Sequence, residues 1–241
     1  MQTSELGVEG WAFSASVASV NIFITGGTGY IGSRLIPLLA KRGHEVKALV
    51  REGSENKLPD RALGVIGEAL QIDSYTSHVR GSDTFVHLIG TPHPSPAKAK
   101  QFRDVDLVSI QVAIKAARDA GVRHFVYLSV AQPAPVMKAF IEVRSAGEAM
   151  IRQSGIPATF VRPWYVLGPG HRWPYTILPI YLILEQVPKM RESVRRLGLI
   201  TIQQMLTALI WAVENPPTGV RIVDVARIRE LDRPSPISRS E

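Results

Sequence analysis

Val20-Asn-Ile-Phe-Ile-Thr25 runs straight into Gly26-Gly-Thr-Gly-Tyr-Ile-Gly32. The first segment is short, apolar and β-branched, which reads as a buried parallel strand. The second places glycines at 26, 29 and 32, three residues apart. Gly26 permits a tight turn, Gly29 lets the main chain approach a diphosphate, and Gly32 lets helix and strand pack closely. Beyond Gly32 the residues Ile31, Leu35, Leu38 and Leu39 share one helical face, interrupted by Pro37, and Gly43 stands where a helix ends. Strand, glycine turn and helix in this order form a phosphate-binding βαβ opening, because a helix N-terminus presents main-chain N–H groups and a positive dipole end to an anion.

Outward from this motif the alternation repeats. Strands are predicted at Glu45–Val50, Leu63–Ile66, Thr84–Ile89, Arg123–Ser129 and Ala158–Arg162. The intervening helices are Tyr75–Arg80, Lys98–Ala120 (Val105, Val108, Val112 and Ala116 at helical spacing) and Lys138–Ser154, closed by Gly155. Continuous apolar strands alternating with helices predict an α/β, doubly wound parallel sheet (Rossmann) with its ligand at the carboxyl ends of the strands. On this reading residues 1–19 are a flexible extension and residues 20–166 the dinucleotide-binding domain. Residues 167–232 form a small C-terminal helical cap over the substrate, with helices at Tyr175–Lys189 and Ile202–Asn215 and a last strand at Val220–Val225; residues 233–241 are a tail.

The ribose-binding position lies at the end of the second strand, about 20 residues on. Arg51 stands there instead of an acid. Its guanidinium suits a 2′-phosphate, with Arg34, Ser54 and Lys57 as neighbours, and favours NADP over NAD. The other reading makes Arg51 a surface residue and gives the ribose to Glu52.

Composition narrows the rest. The 241 residues contain no cysteine, which excludes disulfides, thiolate metal sites and a cysteine nucleophile. The net charge of +7 is spread among interleaved acids, so no nucleic-acid partner is expected. The longest apolar stretch, Tyr175–Val187, is broken by Glu185 and falls short of the ~18–20 residues of a membrane span. Glu5 and Glu9 replace the basic start of a secretory signal, so a cytoplasmic protein is expected. No metal-ligand spacing is present.

Val86-His-Leu-Ile-Gly90, Gly121-Val-Arg-His-Phe-Val-Tyr-Leu-Ser129 and Ser154-Gly-Ile-Pro-Ala-Thr-Phe-Val-Arg-Pro163 complete a pattern with the glycine motif. Over about residues 20–225 the chain resembles the atypical and extended short-chain dehydrogenase/reductases. It is most similar to NmrA-like proteins and to NAD(P)H-binding accessory subunits of respiratory complex I. The resemblance implies cofactor contacts at Gly26, Thr28, Gly29, Tyr30, Ile31, Gly32 and Arg51, and at Glu68, which stands for a family Asp beside the adenine. It further implies contacts at Ile89, Gly90, Thr91, Ser129, Arg144, Pro163 and Tyr165. It also implies pairing through the helices near 98–120 and 138–154, so monomer and homodimer are both open.

Family enzymes carry a Tyr and, four residues later, a Lys, which lowers the phenol's pKa for proton exchange with substrate. Here Phe140 and Arg144 occupy those places, with Glu148 anchoring the register. Phenylalanine has no transferable proton, and arginine does not shuttle one. No tyrosine lies between Leu128 and Tyr165. The remaining candidate acids are Ser129, Tyr165, His93 and, next to Arg172, His171. Two functions stay open: a cofactor-binding, redox-sensing or low-turnover protein, and an NADPH-dependent reductase or isomerase acting on a small apolar carbonyl or quinone-like substrate with a non-standard acid.

Overall fold

Phe23, Phe85 and Phe125 are paired neighbours on three adjacent parallel strands and stack across them, with ring centroids 5.3 and 5.1 Å apart. Such pairs contribute roughly 0.5–1.5 kcal/mol each beyond simple burial. They mark the centre of a seven-stranded parallel sheet in the computed structural model, which describes residues 18–134, 136–170 and 197–233. The expected extension before residue 18, the tail after 233, the helix at Tyr175–Lys189 and His171 lie outside the described residues.

The sheet is ordered β3-β2-β1-β4-β5-β6-β9. Its strands are β1 (Asn21–Thr25), β2 (Glu45–Val50), β3 (Leu63–Ile66), β4 (Thr84–His87), β5 (His124–Leu128), β6 (Ala158–Val161) and β9 (Val220–Val223). Strand order reverses beside β1, opening a crevice at the carboxyl ends of β1 and β4. Alternate side chains enter two cores. Ile22, Ile24, Val46, Ala48, Val86 and Val126 pack on α1 (Gly32–Lys41), while Phe23, Phe85, Phe125, Tyr127 and Phe160 form an aromatic core with Tyr75, Ile110 and Ile151 on the opposite face. On α1 the buried stripe is Gly32, Leu35, Ile36 and Leu39, so Ile36 takes the place the periodicity assigned to Leu38.

α2 (Thr76–Val79) is short. The helix after β4 departs from the simple pattern. A single α-turn (Ala99–Gln101) passes into a π-helical segment (Phe102–Leu107) before α3 (Val108–Asp119). The wider turn rotates the buried stripe to Phe102, Asp106, Ser109, Ile110 and Ala113, leaving Val105, Val108 and Val112 half-buried. Periodicity in apolar residues misplaced this face because two of its inward positions are polar.

α4 (Lys138–Ser154) ends at Gly155 in the left-handed conformation, as its sequence predicts. The described part of the C-terminal region adds β9 to the main sheet. α5 (Ile202–Glu214) contributes Met205, Leu206, Leu209 and Val213 to the core shared with α1. Thr201 and Gln204 close the N-terminus of α5 reciprocally, Gln204 N donating to Thr201 Oγ1 at 3.1 Å and Thr201 N to Gln204 Oε1 at 2.9 Å. Two elements went unread in the sequence: a small parallel pair, β7 (Tyr165–Leu167) with β8 (Leu199–Thr201), and α6 (Val225–Leu231), capped by Asp224. No described helix is long and apolar enough to cross a membrane.

Candidate functional site

The carboxyl ends of β1, β4, β5 and β6 open onto a cleft of about 860 Å³. At one end its wall is main chain. Gly26 has φ +81°, and Gly29 N donates to Gly26 O at 3.1 Å, closing the turn. A Cβ on Gly32 would collide with Gly26 O and lie 2.7 Å from Gly27 Cα, so only glycine lets α1 start this close to β1. No side chain caps α1 and no acid occupies its first turn, which leaves its N-terminus open to an anion. The cradle therefore fits the diphosphate of a dinucleotide.

Beyond the cradle Arg51, Ser54 and Lys57 line the same end. The turn that brings them together is closed by Ser54 N donating to Arg51 O at 3.0 Å and Lys57 N to Ser54 O at 3.1 Å. Both cations are solvent-exposed. Arg34 is turned away to Tyr30, donating to its carbonyl at 2.8 Å with the guanidinium 4.2 Å from its ring centroid.

Of the residues expected at the cofactor, Gly26, Thr28, Gly29, Tyr30, Ile31, Gly32 and Arg51 line the cleft, as do Gly90, Thr91, Ser129, Arg144, Pro163 and Tyr165. Glu68 and Ile89 do not. The Glu68 turn folds on itself, its N–H donating to Ser74 Oγ at 2.9 Å, and the Ile89 carbonyl faces Arg144. His93 lines the rim and is exposed.

The floor of the other end is held by buried charge. Arg144, 3% exposed, donates to Ile89 O (3.2 Å) and Leu128 O (3.0 Å), bridging the chain ends that leave β4 and β5. Its Nη2 lies 3.5 Å from Asp106 Oδ2, and Asp106 is itself 1% exposed. Asp106 Oδ1 accepts from Thr91 N (2.8 Å) and Thr91 Oγ1 (3.0 Å), fixing the loop after β4. Burial pushes the Asp106 carboxyl up, while Arg144 and the Thr91 bonds pull it down. A Cβ on Gly90 would strike the Arg144 guanidinium, so the glycine and the arginine fit each other. Beneath them His87 is fully buried, its Nδ1 2.8 Å from Thr25 Oγ1, and burial together with the Arg144 charge depresses its pKa to about 3. It is neutral at physiological pH.

A second cluster holds Ser129. Its hydroxyl donates to Glu148 Oε1 at 2.6 Å, and the same carboxylate accepts from Arg162, Arg152 and Gln132. The hydroxyl proton is thus committed to Glu148. Phe140 lines the cleft with the Arg144 guanidinium 5.1 Å from its ring centroid. Tyr165, beside Trp164, stands on the wall after β6, and burial raises its phenol above the ordinary value, so it keeps its proton. Asp106 was missed in the sequence, and so was the part Glu148 plays in holding Ser129. The signal for Asp106 was a lone acid four residues after Phe102 on a stripe continuing through Ile110 and Ala113. Among the described residues no group of acids and histidines is placed to hold a metal ion.

A sequence profile of NAD(P)H-binding proteins matches residues 26–175, from the first cradle glycine past the wall that carries Tyr165. The chain belongs to this NAD(P)H-binding family. Its cofactor is a nicotinamide dinucleotide. Ceramide reductase of Caulobacter vibrioides is 25% identical over 212 residues, covering 86% of this chain and 65% of that one. A 4-hydroxy-2-methyl-3-oxo-4-farnesyl-3,4-dihydroquinoline-1-oxide ketoreductase of Stigmatella aurantiaca is 31% identical over 111 residues, covering 44% and 32%. The chain thus spans just under two thirds of the first relative and about a third of the second. Among solved structures, the Bordetella bronchiseptica enzyme WbmH in complex with NAD+ superposes with a TM-score of 0.64 at 21% identity, over 88% of this chain and 79% of that one. At this identity the likeness concerns the fold.

Proposed function

We propose that this family member binds NADP(H) and does so without a Tyr–Lys proton relay, as a redox-sensing or low-turnover protein. One observation carries the reading: each relay position holds a group that cannot pass a proton. Phe140 has none, Arg144 is clamped by Asp106 and two carbonyls, and the Ser129 proton belongs to Glu148. Arg51 and Lys57, lining the end where the adenosine ribose would lie, support NADP(H) over NAD(H). The test is a fluorescence titration with NADPH and NADH, followed by NADPH absorbance in the presence of a carbonyl and quinone panel. Tight binding of NADPH with no oxidation above the buffer rate is expected. Rapid oxidation would overturn the reading.

A second reading is favoured by Tyr165, a proton-holding phenol lining the same cleft as Phe140. In it the chain is an NADPH-dependent reductase of an apolar carbonyl. A bound reduced nicotinamide would supply the hydride for the carbonyl carbon, and Tyr165 or water would supply the proton to its oxygen. The named substrates of the ceramide and farnesyl-quinoline reductases are lipophilic, which agrees with such a ligand. Oxidation of NADPH that disappears in Tyr165→Phe with the Kd for NADPH unchanged would establish this reading over the first.

A further inference from the structure

Among the described residues nine backbone positions are left-handed, with φ between +49° and +88°. Seven carry glycine, the residue for which that conformation is free of strain. The other two are His93 (φ +49°) and Met137 (φ +60°), and both line the one cleft. Elsewhere among the described residues a left-handed turn is made with glycine; among them only these two cleft positions carry a side chain there. Histidine tolerates the conformation moderately well, whereas methionine has no local hydrogen bond to compensate it.

Met137 is unfavourable for a second reason. It is the N-cap of α4, where Ser, Thr, Asp or Asn would satisfy a free N–H, and it makes no capping hydrogen bond. Met137 is thus locally poor in two ways while half-buried on the cleft wall, a combination that points to a role at the cleft. Phe140 follows one turn later on the same wall, and Trp164, Tyr165 and Val130 line this end with it. The surface they offer is apolar and aromatic, with a flexible, polarisable thioether suited to a ring. His93, which lines the same cleft, sits between Pro92 and Pro94, and Lys98 Nζ donates to Pro92 O at 2.6 Å, tying its loop.

We propose that Met137 is a specificity-determining residue of a ligand compartment next to the dinucleotide, and that the compartment takes an uncharged, ring-bearing apolar molecule with a carbonyl that His93 meets at the rim. The proposal rests on the dinucleotide lying in the glycine cradle, as in the function proposed above. The probes are menadione and progesterone, titrated by quenching of intrinsic tryptophan fluorescence into protein saturated with NADP+, so that no hydride is available. Met137→Asn removes the thioether, tolerates the left-handed backbone and supplies a cap. It is expected to raise the Tm of the ligand-free protein by roughly 2–4 °C, keep the Kd for NADPH within twofold, and weaken the bound probe at least tenfold. Met137→Leu keeps the apolar volume and is expected to bind the probe within threefold of the parent. His93→Asn is expected to weaken both probes about threefold.

An unchanged probe affinity in Met137→Asn, a fall in its Tm, or no binding of either probe to the parent protein would overturn the proposal. Failure of the parent to bind NADPH would instead remove the cofactor reading beneath it, so the two failures are distinct.

Discussion

At the cradle end of the cleft the wall is made of main chain, and its side chains are absent by necessity: Gly26, Gly29 and Gly32 leave room for a ligand against the start of α1. At the other end the floor is made of side chains, and they are locked by charges taken out of water, with Arg144 against Asp106 and Glu148 against Arg162. The first arrangement fits a diphosphate, and the second is built around fixed buried charges. One can change while the other stays, because the two depend on different kinds of atoms.

The largest expected effect falls on the cradle. Gly32→Val would drive a branched side chain into the main chain of Gly26 and Gly27, which cannot give way. No cooperative thermal transition and no NADPH binding are expected by scanning fluorimetry and calorimetry. A folded variant that still binds would show that the dinucleotide does not rest on this turn.

Two buried histidines, His87 beneath the floor and His124 at the amino end of β5, should make the fold respond to acid where the cradle does not. Burial depresses His87 to about 3 and His124 to about 4, both below the ~6.5 of an unfolded chain. The unfolded chain takes up protons through pH 6.5 that the folded one refuses. Stability is therefore complete above that pH and falls as pH drops toward about 4 and then 3, at up to ~1.4 kcal/mol per unit for each histidine. Urea unfolding at pH 7 and pH 5 is expected to differ by about 4 kcal/mol from these two groups. A flat profile would mean that neither histidine is buried as described.

Asp106→Asn keeps the shape but leaves Arg144 buried without its counter-charge. A loss of about 3 kcal/mol in urea unfolding is expected, together with weaker cofactor binding as the Thr91 loop loosens. No change in either would mean that the floor is not held by this pair. The smallest effect belongs to the exposed end. Arg51→Ala is expected to weaken NADPH about tenfold, or ~1.4 kcal/mol, and NADH by less than twofold. Equal weakening would separate Arg51 from the 2′-phosphate.

Local sequence carried the fold a long way. β2, β3 and α4 were readable to the residue because turn glycines and strand composition act over a few positions, and the cradle was readable because each of its glycines answers a short-range steric demand. Periodicity failed at the helix after β4, where a π-turn and two inward polar residues, Asp106 and Ser109, hid the buried face. It could also not foresee that β9, 59 residues after β6, would join the same sheet.

By itself the sequence determined the order of a strand, a glycine turn and a helix that suits an anion cradle, and set Phe140 and Arg144 where the family resemblance implies a Tyr and a Lys. Only the tertiary structure decided where the Arg144 charge goes, which partner takes the Ser129 proton, and that Met137 and His93 border one cleft. Those pairings join residues 16 to 55 positions apart, and no local propensity encodes them. They follow from burial, which obliges every buried charge and hydroxyl to find whatever partner the packed chain brings within reach.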